Sequence, residues 1–353
     1  MAGNLFLAVD YGMPNAQDDG TQRPFTASPW WDNASIFLDP PRPTNGQAKE
    51  GQPSTVKVRV SNRADGAVDG VKVQAWVMNP HVGWTEPKHA QAMFTSGIKS
   101  VAPGSGSGGT LDPHVFTCLR NNQAWTPTAG QLTGSGGHMC LVANCFQDPL
   151  EVEEPEGAEI PPTGKFDVTN DPHQGQRNIM VEMKAKSLLH VPLMVPFDLM
   201  ALPEVDGDVF LEIGAVADKN FLDGGVLSAL VSSPEIDDVT GGEVPELIVV
   251  GSDGLYPVRM SQEPLSTRLS IPGLGEFRGS SESGGFEPIE LPPDLGRGGS
   301  DDDPLHGRTP ATLKIDISRD EAVGGVHAFE IVQRTRYGTQ VGSGLRVAFV
   351  VTE

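Results

Sequence analysis

The stretch Thr55–Asn79 reads TVKVRVSNRADGAVDGVKVQAWVMN and decides the fold class. In its first half Val56, Val58 and Val60 alternate with polar residues, and the second half repeats this pattern from Val71 onward. A period of two is the signature of a strand with one buried face. The Asp and Gly residues between the two halves are typical of a turn. The stretch therefore predicts a β-hairpin that belongs to a β-sandwich.

Length and composition extend this prediction to the whole chain. A chain of 353 residues exceeds the size of a single core, and two domains of about 150 residues each are expected. The 42 glycines and 30 prolines suit short strands joined by many turns, and they disfavour long helices. We predict an all-β protein with two immunoglobulin-like β-sandwich domains and an irregular N-terminal arm.

The order of these parts follows from shifts in composition along the chain. Residues 151–175 contain the acidic run EVEEPEGAEIPPTG, which has no hydrophobic period and indicates an exposed linker. Alternating apolar segments resume after it and predict a second sandwich. The predicted parts are an arm at 1–33, a sandwich at 34–150, the linker at 151–175, and a second sandwich at 176–353 with a long loop at 277–304.

The net charge and the first residues of the sequence limit which partners and which cellular location are expected. A formal charge of −21 disfavours nucleic acid, because DNA-binding proteins neutralise phosphates with Lys and Arg. The first residues have no basic segment before an apolar run, and no window approaches the about 20 apolar residues of a membrane span. We expect cytoplasmic synthesis without a signal peptide, a soluble product and no membrane span. After synthesis, either action inside the cell or release as part of a particle is compatible with the sequence.

Three short motifs resemble ligand sites. Residues 104–109, GSGSGG, match the letters of a dinucleotide-binding loop, but no helix pattern follows, so a flexible loop is predicted. The run Asp301 to Asp303 offers oxygen ligands for calcium without the spacing of a calcium loop, so a solvated loop is expected there as well.

His138, Cys118, Cys140 and Cys145 have side chains that zinc prefers. On one extended strand, however, His138 and Cys140 face one side and Cys145 faces the other. We interpret the cysteines as buried and structural, with no bound metal. A metal site and a Cys118–Cys145 disulfide are the alternatives.

The sequence contains none of the local motifs of common hydrolases, kinases or nucleotide-binding enzymes. A non-enzymatic protein without a cofactor is therefore predicted, and an enzyme whose site is assembled from distant positions is an alternative. Trp30, Trp31, Trp84 and Trp125 fall in segments that resemble loops or strand ends, where aromatic rings can stack on sugars. They are the candidate ligand-binding residues, and plugging the ends of a core is the other interpretation.

The segments SPWWDNASIFL and GQPSTVKVRVSNRADGAVDGVKVQAWVMNP resemble a CARDB-type domain, a bacterial immunoglobulin-like module. Such modules show a V-x-V-x-V-x-N strand and a returning V-x-V strand, and Val56–Asn62 and Val71–Val77 match them. The resemblance covers residues 28–148. It implies a sandwich fold and a role in adhesion, assembly or accessory binding without chemistry.

The predicted function is that of a structural or interaction protein, which assembles with its own copies or within a larger phage-like or secretion-related particle. A carbohydrate- or ligand-binding accessory module is the second hypothesis. Leu5, Leu7 and Val9 are the candidate assembly residues, because their alternation suits a strand added to an exposed sheet edge. Docking of this arm within its own chain is the alternative.

Overall fold

A computed structural model describes residues 4–9, 18–25, 30–39, 47–103, 114–133, 135–201, 207–216, 248–251, 254–261, 263–280, 284–296 and 307–353. The all-β prediction is confirmed, since these residues are almost entirely strands and connections. The chain divides into two compact units. The first comprises Met1–Asn79, Thr85–Thr133 and Gly137–Asn178, and the second comprises Pro80–Trp84, Gly134–Gly136 and Ile179–Glu353.

The first unit contains ten of the eleven strands that precede Asn178. In chain order these eleven strands are β1 (Leu5–Phe6), β2 (Ile36–Asp39), β3 (Thr55–Arg59), β4 (Ser61–Asn62), β5 (Val68–Met78), β6 (His81–Val82), β7 (Ala92–Ser96), β8 (Lys99–Val101), β9 (Val115–Leu119), β10 (Cys140–Gln147) and β11 (Gln174–Arg177). Of these, β6 belongs to the second unit. A 3₁₀ helix at Pro87–His89 and helix α1 at Ala129–Leu132 complete the first unit.

One large sheet forms the first unit, in the order β11-β10-β5-β7-β9-β3-β2, with β8 beside β5. The alternation that the sequence shows in β3 is present, because Val56 and Val58 are fully buried while Lys57 and Arg59 are half-buried. Burying one such valine contributes about 1.5 kcal/mol or more. The apolar period therefore fixes which face of each strand looks into the core.

The prediction that β3 and β5 pair with each other as a hairpin is wrong. β3 pairs with β2 and β9, whereas β5 pairs with β7, β8 and β10. Between β3 and β5 the chain forms β4, which pairs with β1. Alternation determines which face of a strand is buried, but it does not determine which strand pairs with it. In addition, the connection at 60–67 is too long to enforce a tight hairpin.

The large sheet closes on itself through residues that precede β2. The backbone N–H of Asn33 donates to the carbonyl of Gln176 over 3.1 Å, and the N–H of Asn178 donates to the carbonyl of Trp31 over 2.8 Å. These bonds join the segment before β2 to β11, the strand at the opposite end of the sheet. The outer edge of β11 is thereby paired at Gln176, which leaves fewer backbone groups exposed at this end of the sheet.

Within the predicted arm at 1–33, the described residues 4–9, 18–25 and 30–33 do not form an independent arm. Leu5 and Leu7 are fully buried in the core cluster of the first unit, and β1 pairs with β4. Trp31 is also fully buried. The prolines and the DDG turn prevent a long strand here, yet the apolar side chains find a surface within the same unit.

Residues 151–175 are not an exposed linker, and the first unit extends to Asn178. Ile160 and Phe166 are buried, and the Phe166 ring lies 4.9 Å from the Trp76 ring. The Ile160 backbone forms hydrogen bonds of 2.8 and 3.1 Å with the side-chain amide of Gln74. The segment therefore covers the outer face of β5, where Gln74 and Trp76 project. Its few apolar residues are too widely spaced to show a period.

The second unit is a sandwich of two sheets. Its remaining strands are β12 (Ile179–Ala185), β13 (Leu193–Met200), β14 (Val209–Ala215), β15 (Ile248–Gly251), β16 (Gly254–Pro257), β17 (Arg259–Met260), β18 (Leu265–Ile271), β19 (Gly275–Arg278), β20 (Ile289–Leu291), β21 (Arg308–Ile317), β22 (Gly325–Thr335) and β23 (Leu345–Thr352). A 3₁₀ helix spans Lys186–Leu188.

One sheet has the order β12-β23-β22-β14-β20, with β17 beside β22, and the other has the order β19-β18-β21-β13-β6. β15 and β16 pair with each other. Side chains of both sheets meet in one core, including Leu313 and Ile315 from β21 and Phe329 and Phe349 from β22 and β23. The face-to-face arrangement agrees with the predicted sandwich.

One inner strand of the second unit contains a proline. β13 runs through Pro196, a residue that usually argues against a paired strand. The N–H of Asp198 points to the carbonyl of Pro80 beside β6, so position 196 faces the same side, which β6 does not reach. The missing N–H therefore breaks no bond of the sheet.

The loop predicted at 277–304 contains β20, whose Ile289 and Leu291 are buried and which pairs with β14. A strand of three residues is too short to show a pattern.

Asp301 to Asp303 and the GSGSGG motif at 104–109 lie outside the described residues.

Candidate functional site

A groove of about 460 Å³ opens at one edge of the second unit. Its floor consists of apolar side chains that pack against the core and remain partly exposed, among them Leu274, Phe277 and Phe286. Its rim carries the charged residues Arg278, Glu287 and Glu290. An apolar floor with a polar rim is typical of binding clefts.

The hairpin of β18 and β19 forms one wall of this groove. In the register of this hairpin, Phe277 lies opposite Leu269, which is fully buried, so the Phe277 ring faces inward. The connecting turn requires positive φ at Gly273 (85°) and Gly275 (108°). The turn thus returns the chain so that Phe277 contributes to the floor.

Residues 286–291 form the other wall. The N–H of Phe286 donates to the carbonyl of Ile213 in β14 over 2.9 Å, which fixes the start of this segment. Glu290 is exposed, and Ile289 and Leu291 on either side of it are buried. The alternation places the carboxylate on the surface beside an apolar floor.

Both walls are edge strands. β19 ends one sheet, β20 ends the other, and no strand within the described ranges pairs with their outer sides. The N–H of Gly279 donates to the carbonyl of Thr267 over 3.0 Å. Because antiparallel pairs alternate, the backbone groups of Glu276 and Arg278 point away from β18. The groove therefore lies beside backbone donors and acceptors that can bind another strand.

A second polar cluster lies in the first unit, where His173 is held between two carboxylates. Its Nδ1 is 2.6 Å from Asp171 Oδ1, and its Nε2 is 3.1 Å from Glu156 Oε1. Burial acts to lower the pKa of His173, but the two hydrogen bonds and the negative charges outweigh it and raise the pKa to about 9. The imidazole is therefore a cation at neutral pH.

The carboxylates of this cluster respond in the opposite sense. Burial acts to raise the pKa of Glu156, but hydrogen bonds from His173 and from the backbone of Leu5 lower it. Burial likewise opposes ionisation of Asp171, and the bond to His173 again lowers the pKa. With all partners charged and satisfied, the cluster stabilises the packing of β1 and does not resemble a reactive site.

A third cluster, in the second unit, joins Ser261, Glu321 and His327. His327 Nε2 lies 2.7 Å from Glu321 Oε2, and the Ser261 hydroxyl donates to the same oxygen. Burial lowers the pKa of His327 despite the neighbouring carboxylate. A catalytic triad places histidine between serine and acid. Here the acid lies between them, so His327 is not placed to take the serine proton.

The four predicted ligand-binding tryptophans do not form a common surface within one unit. Trp30, Trp31 and Trp125 are buried in the first unit, where Trp30 and Trp31 make an edge contact at 5.5 Å. The prediction that these three rings stack on sugars is therefore corrected, because a buried ring presents no face to a ligand. Trp84 belongs to the second unit and is 39% exposed, and its role in binding stays a prediction.

The predicted assembly residues also lie in the first unit. Leu5 and Leu7 are fully buried, and the N–H of Leu7 donates to the carbonyl of Pro172 over 2.9 Å. Val9 is partly exposed, and its N–H donates to Asp18 over 2.9 Å. This placement corresponds to the within-chain alternative, and a role of Leu5, Leu7 and Val9 in assembly stays a prediction.

The three cysteines are free and buried. Cys118 and Cys145 belong to the core of the first unit, whereas Cys140 faces the other side of β10, where Gln176 Nε2 lies 3.2 Å from its sulfur. Over the residues that the structure describes, no three His, Cys, Asp or Glu side chains are grouped as metal ligands. His138 is fully buried.

Comparisons with known proteins give only weak likenesses. No family model matches the chain, and no curated protein matches it. Among solved structures, the chain is similar to the N-terminal domain of PorA, with 8% identity, coverage of 49% of this chain and 87% of that chain, and a TM-score of 0.20.

Two adhesins show likenesses of the same order. The CupB6 tip adhesin from Pseudomonas aeruginosa has 11% identity, coverage of 90% and 97%, and a TM-score of 0.23. The collagen adhesin from S. aureus has 6% identity, coverage of 90% and 91%, and a TM-score of 0.22. Scores this low do not establish a common fold. Separately, no helix in the described part of the chain is long and apolar enough to cross a membrane.

Proposed function

We propose that this protein is a non-enzymatic interaction protein, whose second unit binds other protein chains through the groove between β19 and β20. The observation that carries the proposal is an apolar groove flanked by two edge strands. Edge strands and exposed apolar floors favour association with other chains.

The buried polar clusters support a binding role over a catalytic one. His173 and Glu321 are both held in position by hydrogen bonds with neighbouring side chains. In this proposal, the partner is a copy of the same chain or a component of a larger particle, of the phage-like or secretion-related kind. Membership of the CARDB-type modules stays a prediction.

The test uses the purified full chain and one matched pair of variants. Leu274→Asp places a charge on the groove floor, in the turn outside the strands. Leu188→Asp makes the same change at an exposed leucine that does not line the groove. We expect Leu274→Asp alone to lose higher-mass species in light scattering and partners recovered by crosslinking in the native host.

Thermal melts followed by circular dichroism check that both variants remain folded. The proposal is overturned if the wild-type protein stays monomeric at every concentration and retains the same crosslinked proteins as Leu274→Asp.

A further inference from the structure

We infer that the groove takes an extended segment of a partner protein, in which apolar residues alternate with Lys or Arg, and that this segment adds a strand to the outer edge of β19. The inference rests on the proposed function and specifies the class of partner. Its three supports are the direction of the β19 backbone, the apolar floor and the sign of the surrounding charge.

The backbone of β19 provides the first support. Glu276 and Arg278 point their backbone N–H and C=O groups away from β18, as the bond from Gly279 to Thr267 requires. Both residues are exposed. An extended peptide that aligns with this edge gains main-chain hydrogen bonds whatever its side chains are.

The apolar floor of the groove provides the second support, because it favours a partner segment in which every second side chain is apolar. In a strand added beside β19, every second side chain lies on the same face of the sheet as Phe277. On that face the added strand meets Leu274, Phe286 and Ile289, which line a volume of about 460 Å³. Apolar side chains at alternate positions therefore fill the groove, while the remaining ones face solvent.

The surrounding charge provides the third support. Glu287 and Glu290 are exposed on the far wall, and Glu276 is exposed on the hairpin, against the single cation Arg278 among the residues that line the groove. The whole chain carries a formal charge of −21. A cationic segment is attracted to such a surface and an anionic one is repelled. A second copy of the chain carries the same negative charge, which makes it the less favoured occupant.

The experiment measures binding of labelled synthetic peptides to the full chain by fluorescence anisotropy. The probes are a Val-Lys repeat, a Val-Glu repeat, and a peptide with the valines and lysines of the first grouped in two blocks. The structure favours the Val-Lys repeat, with affinity at least about tenfold above that of the others, a difference of about 1.4 kcal/mol. Glu287→Lys combined with Glu290→Lys is expected to reverse the preference for charge.

A matched pair of variants isolates the hydrogen bond of the edge. Arg278→Pro and Arg278→Ala remove the same side chain, but only proline removes the N–H that points outward, and proline is tolerated at such positions of an edge strand. We expect Arg278→Ala to bind the Val-Lys peptide with the affinity of the wild type. Arg278→Pro is expected to lower this affinity about tenfold, because it lacks one hydrogen bond. Equal affinities of the two variants would contradict strand addition.

A second measurement leaves the protein unchanged, in case Arg278→Pro fails to fold. The Val-Lys peptide is methylated on the backbone nitrogen of either all valines or all lysines. Strand addition predicts that one of these two peptides binds and the other does not, because only one set of N–H groups faces β19. Binding of both, or of neither, overturns the inference.

Two further outcomes separate this inference from the proposed function. If Leu274→Asp abolishes assembly while no alternating peptide binds, the partner class is wrong and the binding role stands. If light scattering shows a dimer that Arg278→Pro dissolves and Arg278→Ala retains, the occupant is a second copy and the cationic partner is excluded.

Discussion

The backbone N–H of Leu5 donates a hydrogen bond of 2.6 Å to the carboxylate of Glu156, a residue 151 positions later in the chain. His173 Nε2 binds the same carboxylate oxygen, Oε1, and Asp171 binds the other nitrogen of the imidazole. The docking of β1 thus depends on a cation buried between two anions.

Replacing His173 by Gln is expected to destabilise the protein. The variant leaves the two carboxylates of Glu156 and Asp171 near each other without the cation between them. Removing one partner of a buried ion pair costs about 2 to 4 kcal/mol of stability when the surroundings are partly exposed. The free energy of unfolding from urea titration measures the loss. His190→Gln is the control, since His190 is exposed and bonds only to the carbonyl of Ser187 among its described contacts. Equal stability of the two variants would count against the cluster.

The same cluster predicts how stability varies with pH. The pKa of His173 is about 9 in the folded protein and 6.5 as an ordinary value, so the folded state binds the proton more tightly. Its contribution is complete below about pH 6.5 and is lost as the pH rises through 9. Glu156 and Asp171 have lowered pKa values, so their contributions are lost at acid pH instead. Urea titrations at several pH values should show the alkaline loss in the wild type and not in His173→Gln.

Gly342→Ala is expected to destabilise the second unit more than Gly338→Ala. Both glycines have positive φ, 69° and 80°, which costs about 1 kcal/mol for alanine. A Cβ at position 342 would also collide with the backbone of Gly83 and Trp84, whereas position 338 is open. We expect an additional loss of about 2 kcal/mol for Gly342→Ala, measured by thermal or chemical unfolding. Similar losses for both variants would show that the close approach is absent.

The cysteines are expected to be unreactive until the protein unfolds. Burial raises the pKa of Cys118 and Cys145, and it raises that of Cys140 to about 12, so the reactive thiolate is scarce at neutral pH. Ellman's reagent should report almost no thiol in the native protein and all three after addition of guanidinium. Rapid labelling of one thiol in the native state would contradict this burial.

Trp84 is expected to account for most of the fluorescence that acrylamide can quench. It is 39% exposed, whereas the other four tryptophans are at most 6% exposed. Trp84→Phe should therefore leave native emission that resists acrylamide, and denaturant should make the remaining rings accessible. A glycan panel tested on the wild type addresses the carbohydrate hypothesis, which requires a response that Trp84→Phe removes.

The sequence predicts strands better than it predicts their neighbours. The valines of β3 and β5 alternate as expected, and their buried faces are as predicted, but the two strands pair with others. Pairing depends on contacts between residues far apart in the chain, which a local period does not encode. For the same reason the apolar residues Leu5 and Leu7 indicated a need for a surface but not which one. Their backbone N–H groups bond to Glu156 and Pro172, which lie far along the chain.

The groove had a partial signal in the sequence. The segment Leu265–Ile271 alternates as LSTRLSI, and the glycines at 273 and 275 that follow are typical of a hairpin turn. Nothing local to this hairpin indicates that Phe286 and Ile289 complete the floor, because β20 is only three residues long. The edge strand was predictable, and the groove beside it was not.

The closure of the first unit sets an order of events on the ribosome. Trp31 and Asn33 leave the exit tunnel long before Gln176 and Asn178, to which they bond, have been translated. At about 5 to 20 residues per second, the early segment waits roughly 10 to 30 s for its partners. During that interval the backbone groups of Trp31 and Asn33 lack the strand to which they bond in the folded unit, so the large sheet stays open at this end. A ribosome that stalls before Asn178 is translated would hold the sheet in this open state.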